Sequence, residues 1–564
     1  MTWQALPWQS SLQAAFTTIW GSGVSPIPSL DLNFTLGFLD PRITGASLAT
    51  LTNAAGNIAY KPHNFVLWSE KFDGAAWYNN GSATASVVAD RNGVVGKGVR
   101  VTATASNGDF YQPYTSGAAQ SVTNSLWIRR ISGVGVVQMM SPANVVQTVA
   151  VSASWQQFTV NSTSVSAGTS STAYIGVRLV TSGDVVEVCE ASGVLGPLQP
   201  YYPTTGSAYF GPRFTYDPVT HAALGLLIEE QRTNLLTYSE QFDNAAWTLA
   251  TASVTANATT APDGASTADK LVEDSTAAVT HRLYGAATVT AVAHTLSVYA
   301  KPAGRSIIAL RTPGGVLSYF NVSTGTVGSV PGPHSAKIES VGNGWYRCSV
   351  TWTPTAGAIN VGYDACQVDG SSTYNGDGTS GIYLWGAQLE AGAFATSYIP
   401  TTSASVTRAA DSATMTGSNF SSWFNATQGT LYVEGGGSNA AGSARLVGIS
   451  DGTTLNRIIN YLSGATQLAG LVSTGGVAQA NPTVNVTSAA SSNKLAQAYV
   501  VNNVNVAANG TLGAADTSAT IPTVTLMRIG ADESGTGAIL NGTIARLRYY
   551  NTALTNAQLQ ALTK

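Results

Sequence analysis

One stretch of sequence occurs twice. Residues 64–77 (NFVLWSEKFDGAAW) align without gaps on residues 234–247 (NLLTYSEQFDNAAW), with eight of fourteen positions identical and an aromatic kept at Trp68/Tyr238. The echo continues downstream. Residues 125–129 (SLWIR) match 297–301 (SVYAK), Trp155 matches Trp345, and both copies close on Tyr-x-Pro-Thr-Thr, at 201–205 and 398–402. A self-similar unit of this length is one domain present in two copies. The alternating β-branched runs within it, separated by Gly and Asn turns, read as strands. The chain is therefore expected to be all-β, with tandem β-sandwich (jelly-roll) modules over residues 63–205 and 232–404 and a connector at 206–231.

The flanks have a different texture. Residues 1–62 carry no charge before Asp31 and hold Trp3, Trp8 and Trp20, which suits a segment that docks into a partner. A short helix is expected over residues 9–20 from the spacing of Leu12, Phe16 and Ile19. Past residue 404 a third module follows, a jelly roll with strands expected at 429–434, 444–449, 457–461, 495–501 and 542–550. Residues 555–558 (TNAQ) form a capping-box pattern that opens a last helix, with Leu559 and Leu562 facing inward.

Charged residues make up only 10% of the 564, yet 44% are hydrophobic and 9% aromatic, enough to build folded cores. With 26 Lys and Arg against 29 Asp and Glu, the chain lacks the basic face that phosphate binding needs, and nucleic acid is not an expected partner. The hydroxyl- and amide-rich surface suits neutral polar partners, glycans among them. Cys189, Cys348 and Cys366 follow no metal or disulfide pattern; three buried thiols are expected, with a Cys348–Cys366 bridge as the alternative. No positively charged n-region precedes Arg42 and no apolar run is long enough to span a membrane, so export by a signal peptide is not expected.

Three segments carry a resemblance. Residues 30–44 (LDLNFTLGFLDPRIT), 225–247 (GLLIEEQRTNLLTYSEQFDNAAW) and 382–402 (IYLWGAQLEAGAFATSYIPTT) resemble tailed-bacteriophage head-spike and tail-fibre proteins with carbohydrate-binding-module-like sandwiches. Residues 541–562 are similar to the end of a laminin-G/concanavalin-like jelly roll. The resemblance implies a virion appendage that binds host surface polysaccharide, held to capsid or tail proteins by residues 1–62. Such appendages are symmetric oligomers, with a trimer favoured. The first copy departs from the pattern: it has YKPHNFVLWSEKF (60–72) where the second has the full LLIEEQRTNLLTYSEQF.

Catalytic patterns are weak. Gly376–Gly381 matches GxGxxG but feeds a strand rather than a helix, and the GxSxG match at 448–452 has no histidine after it to act as base. The five histidines have no zinc spacing, and no catalytic residue is assigned; a polysaccharide depolymerase with a cryptic site is the alternative reading. Trp127, Arg129, Tyr299 and Lys301, an aromatic and a cation on one strand of each copy, are the expected carbohydrate contacts. Phe72/Phe242 and Trp77/Trp247 are expected in the core. Glu70, Asp73, Glu240 and Asp243 recur at the module entrance as possible ligands of a structural calcium ion, or as turn-forming acids.

Overall fold

The computed structural model describes residues 26–37, 40–43, 49–116, 121–162, 172–437 and 443–564. The helix expected over residues 9–20 lies outside them. The chain divides into two compact units. One takes in the described parts of 45–223 and 230–411; the other takes in 224–229, 412–564 and the described part of 1–44.

The larger unit holds both copies of the repeat, each a sandwich of two antiparallel sheets. In the first copy one sheet runs, in spatial order, Val146–Val149, Val137–Met140, Thr172–Leu179, Gly108–Thr115 and Tyr78–Asn79. The other runs Gln156–Ser162, Val122–Ser132, Val185–Leu195, Val95–Ala103 and Ala83–Ala89. Alternation decides which side chains face inward: Phe110, Tyr114, Ile175, Val177, Leu126 and Ile128 fill the space between the sheets. The second copy repeats the plan. Trp247–Ala250, Val279–Val289, Gly357–Cys366, Ile307–Thr312 and Val316–Asn321 lie side by side in one sheet. Ala268–Glu273, Gly381–Ala391, His294–Ala303 and Tyr346–Trp352 lie in the other. Phe72 and Trp77, and Phe242 and Trp247, are buried in the two cores as expected, and Trp77 stacks on Phe110 at 5.2 Å. All three cysteines are buried free thiols.

The shared residues of the repeat form a clasp that ties the start of each module to its end. Asn234 donates through Nδ2 to the carbonyls of Ala387 and Ile399, and its Oδ1 accepts from the amides of Leu236 and Leu389. Ser239 Oγ meets the Tyr398 hydroxyl at 2.6 Å and accepts from the Thr401 amide, while Thr401 Oγ1 donates to the Leu236 carbonyl. The first copy reproduces the set with Asn64, Ser69, Tyr201 and Thr204. Trp77 and Trp247 close the loop by donating Nε1–H to the carbonyls of Trp68 and Tyr238, residues held at φ 51° and 49°. The Tyr-x-Pro-Thr-Thr ending and the Asn…Ser-Glu opening thus recur together because they bond to each other.

The smaller unit is a third β-sandwich. Gly542–Tyr550 is central to one sheet. One of its edges pairs with Gln428–Gly437. The other is shared by Leu30–Asn33, set against 546–549, and by 226–228, set against 542–544. Asp31 adds ion pairs to Arg546 and Arg548. Leu526–Ile529, Arg445–Ser450, Arg457–Gly464 and Gln467–Thr474 are neighbours in the facing sheet. The helix Asn556–Thr563 starts with the expected capping box of Thr555 and Gln558 and buries Leu559. Tyr549 points into the sandwich and Tyr550 to the opposite face, but both are buried, because the helix and Leu554 cover Tyr550.

Candidate functional site

The four expected carbohydrate contacts are not open platforms. Tyr299 is only 3% exposed, packed on Trp385 and Tyr398 with the Arg347 guanidinium 5.3 Å from its ring. No ring face is left for a sugar, which corrects its assignment. Trp127 is half-buried and capped by Arg91, 4.4 Å from the ring centre, which is itself held by Glu190. Arg129 is committed to Glu187 through Nε and Nη2 at 2.8 and 2.5 Å and lies 4.8 Å over Trp155. Lys301 is half-buried near the end of its strand.

An accessible aromatic surface lies on the other sheet of the first module. In Gly108–Thr115 the alternation that buries Phe110, Gln112 and Tyr114 turns Tyr111 outward; in Thr172–Leu179 it turns Tyr174 and Arg178 outward. Tyr78 pairs across from Tyr111, and the three rings follow one another at centroid separations of 6.0 and 6.3 Å. Tyr78 is 49% exposed, and Tyr111 and Tyr174 are half-buried, so each ring keeps part of its surface accessible. Gly176 sits directly opposite Tyr111, where an added Cβ would come within 2.7 Å of the Tyr111 Cβ and 2.3 Å of the Phe110 carbonyl. The absence of a side chain there keeps the surface beside Tyr111 open. Next in register, Asp109 accepts two hydrogen bonds from Arg178 at 2.6 and 2.9 Å, and Gln138 lies across from Arg178 on the neighbouring strand. Apolar ring faces flanked by oriented hydrogen-bonding groups suit a sugar, whose C–H faces stack while its hydroxyls bond. Sequence reading missed these tyrosines; the available signal was an aromatic on the polar phase of each alternating strand.

The acids at the module entrances behave differently in the two copies. Glu70 is paired with Lys97 at 2.7 Å, and Asp73 is exposed. Glu240 and Asp243 line a polar cleft of about 530 Å³ with Asn244, Asn257, Thr267 and Asp269. Asp269 organises this cleft by accepting from the amides of Phe242 and Asn257, both at 2.8 Å. Among the described residues no three His, Cys, Asp or Glu side chains are grouped to hold a metal ion. In the first copy Lys97 neutralises Glu70, and in the second backbone amides engage Asp269 beside Glu240 and Asp243. Burial, reinforced by the nearby charges of Asp263 and Asp269, pushes the Glu240 carboxyl up to about 7 despite a hydrogen bond from Tyr398.

That shift has a measurable consequence. The folded pKa lies above the unfolded value of 4.5, so Glu240's contribution to stability is fully present below pH 4.5 and is lost as pH rises through about 7. Glu240→Gln, which cannot ionise, is expected to be more stable than wild type at pH 8, by up to about 3 kcal/mol, and equal to it at pH 4. Thermal melts across this range check the result; a difference independent of pH would contradict it.

No protein-family model matches the chain, and no curated protein matches it. Among solved structures, the IT-sialidase CBM40 of Ruminococcus gnavus bound to α2,3-sialyllactose is 17% identical over 25% of this chain and 84% of that one, with a TM-score of 0.23. The CBM22-1–CBM22-2 tandem of Paenibacillus barcinonensis Xyn10C is 12% identical over 59% of this chain and 97% of that one, TM-score 0.21. Domains LG4-5 of the mouse laminin α1 chain are 12% identical over 50% and 90%, TM-score 0.19.

Proposed function

We propose that this chain is a multimodular glycan-binding protein that recognises oligosaccharide on the outer sheet face of its first repeated module. The observation that carries the reading is the run of Tyr78, Tyr111 and Tyr174 beside the Asp109–Arg178 pair. Two modules on one chain, and further copies in an oligomer, would raise avidity for a repetitive polymer. Binding of the full chain to an array of bacterial surface polysaccharides tests this; an array with no bound glycan would sink it.

The finer assignment, an appendage of a tailed-phage virion that engages host polysaccharide during adsorption, rests on the sequence resemblance of residues 30–44, 225–247 and 382–402. Mass spectrometry of purified virions should find the chain among their proteins, and its absence from them would refute that assignment.

One observation favours the depolymerase alternative: Glu240, held protonated up to about 7 in a cleft beside Asp269, has the character of a general acid. The engagement of Asp269 by two backbone amides argues for a loop-organising role instead. Release of reducing ends from polysaccharide by wild type and not by Glu240→Gln would favour the alternative.

A further inference from the structure

The two copies superimpose by register, and that register exposes a difference in charge. In the first module Tyr111 lies opposite Gly176; in the second Tyr284 lies opposite Gly362. The tyrosine–glycine pair is thus repeated, with Tyr284 half-buried and the neighbouring Thr248, Ala286 and Asn360 exposed. Two residues along, however, the ion pair is reversed. Where the first module has Asp109 across from Arg178, the second has Arg282 across from Asp364. On the next strand, the position opposite the glycine is Met140 in the first module and Arg311 in the second.

These exchanges change the balance of charge. Around Tyr111 one cation meets one anion, and both are consumed in a two-point pair. Around Tyr284 there are two cations, Arg282 and Arg311, for one anion, Asp364. Arg311 takes both oxygens of the fully buried Asp364 through Nε and Nη2. Arg282 makes no ion pair among the described residues, its Nε is buried without a hydrogen-bond partner, and its guanidinium lies 6.0 Å from the centre of the Tyr284 ring. A guanidinium beside an aromatic ring offers a planar fork that matches a carboxylate, while the ring stacks on the sugar that bears it. We infer that the second module's sheet face takes a carboxylate-bearing sugar, such as a uronate or sialate unit, whereas the first module's face takes an uncharged one. The inference rests on the glycan-binding reading and adds to it that the repeated modules have diverged in ligand charge.

The test is an array of neutral and carboxylate-bearing oligosaccharides probed with the full chain and with Arg282→Gln, Arg282→Lys and Tyr111→Ala variants, each shown by thermal melting to be folded. Arg282→Gln is expected to lose acidic-glycan binding at least tenfold and to keep neutral-glycan binding. Arg282→Lys, which keeps the charge without the fork, should fall between. Tyr111→Ala should show the reverse pattern, and only the acidic binding should weaken as salt is raised from 50 to roughly 300 mM. Neutral binding with no acidic binding, or acidic binding indifferent to Arg282→Gln, would overturn this inference and leave the glycan reading standing. No binding of either class would overturn both.

Discussion

Asn234→Ala should destabilise the second module by about 4 kcal/mol, one of the larger effects a single substitution can have. The side chain is fully buried and makes four hydrogen bonds, two as donor and two as acceptor. Truncation leaves two carbonyls and two amides without partners inside the module, each costing roughly 1–3 kcal/mol when water cannot reach it. Relaxation and water entry recover part of that sum. Asn64→Ala should act alike on the first module, because Asn64 makes the equivalent four bonds. Denaturant unfolding of the full chain, followed by tryptophan fluorescence, reads the effect; a loss below about 1 kcal/mol would mean that the clasp is not what closes the module.

Tyr111→Ala should weaken glycan binding to the first module by about 30-fold, the scale of about 2 kcal/mol seen when a central, well-packed aromatic is removed from a binding surface. Tyr111 is the middle ring of the three, so its removal breaks the run at both neighbours. Its side chain points away from the core, and the fold should survive the change. Tyr111→Phe, which keeps the ring, should retain most of the affinity. Titration of an array-selected neutral oligosaccharide separates these outcomes, with Tyr299→Phe as a buried control that leaves affinity unchanged.

Much of the fold could be read from the residues alone, because its signals are local. Alternation marked the strands at 429–434, 457–461 and 542–550, Thr555 and Gln558 marked the helix start, and Phe72/Phe242 and Trp77/Trp247 marked the cores. The repeat pointed to a shared fold, and its invariant Asn, Ser and Trp prove to be the bonds that hold it. What stayed hidden depends on distant segments. Leu30–Asn33 pairs with a strand at the far end of the chain, for which nothing in its own sequence is a cue. Trp127 and Tyr299 are expected sugar contacts, but Arg91 caps one and Trp385 packs on the other from segments remote in sequence. The tyrosine run is the converse case: Tyr78, Tyr111 and Tyr174 come from three strands, and only their pairing order brings them into line.

The most direct test of the account is the structure of the chain bound to the neutral oligosaccharide selected on the array. It should show pyranose rings stacked on Tyr111 and a flanking tyrosine, with hydroxyls bonded to the Asp109–Arg178 pair or Gln138. An oligosaccharide seated instead on the Trp127 face or in the Glu240 cleft, with the three tyrosines bare, would contradict it.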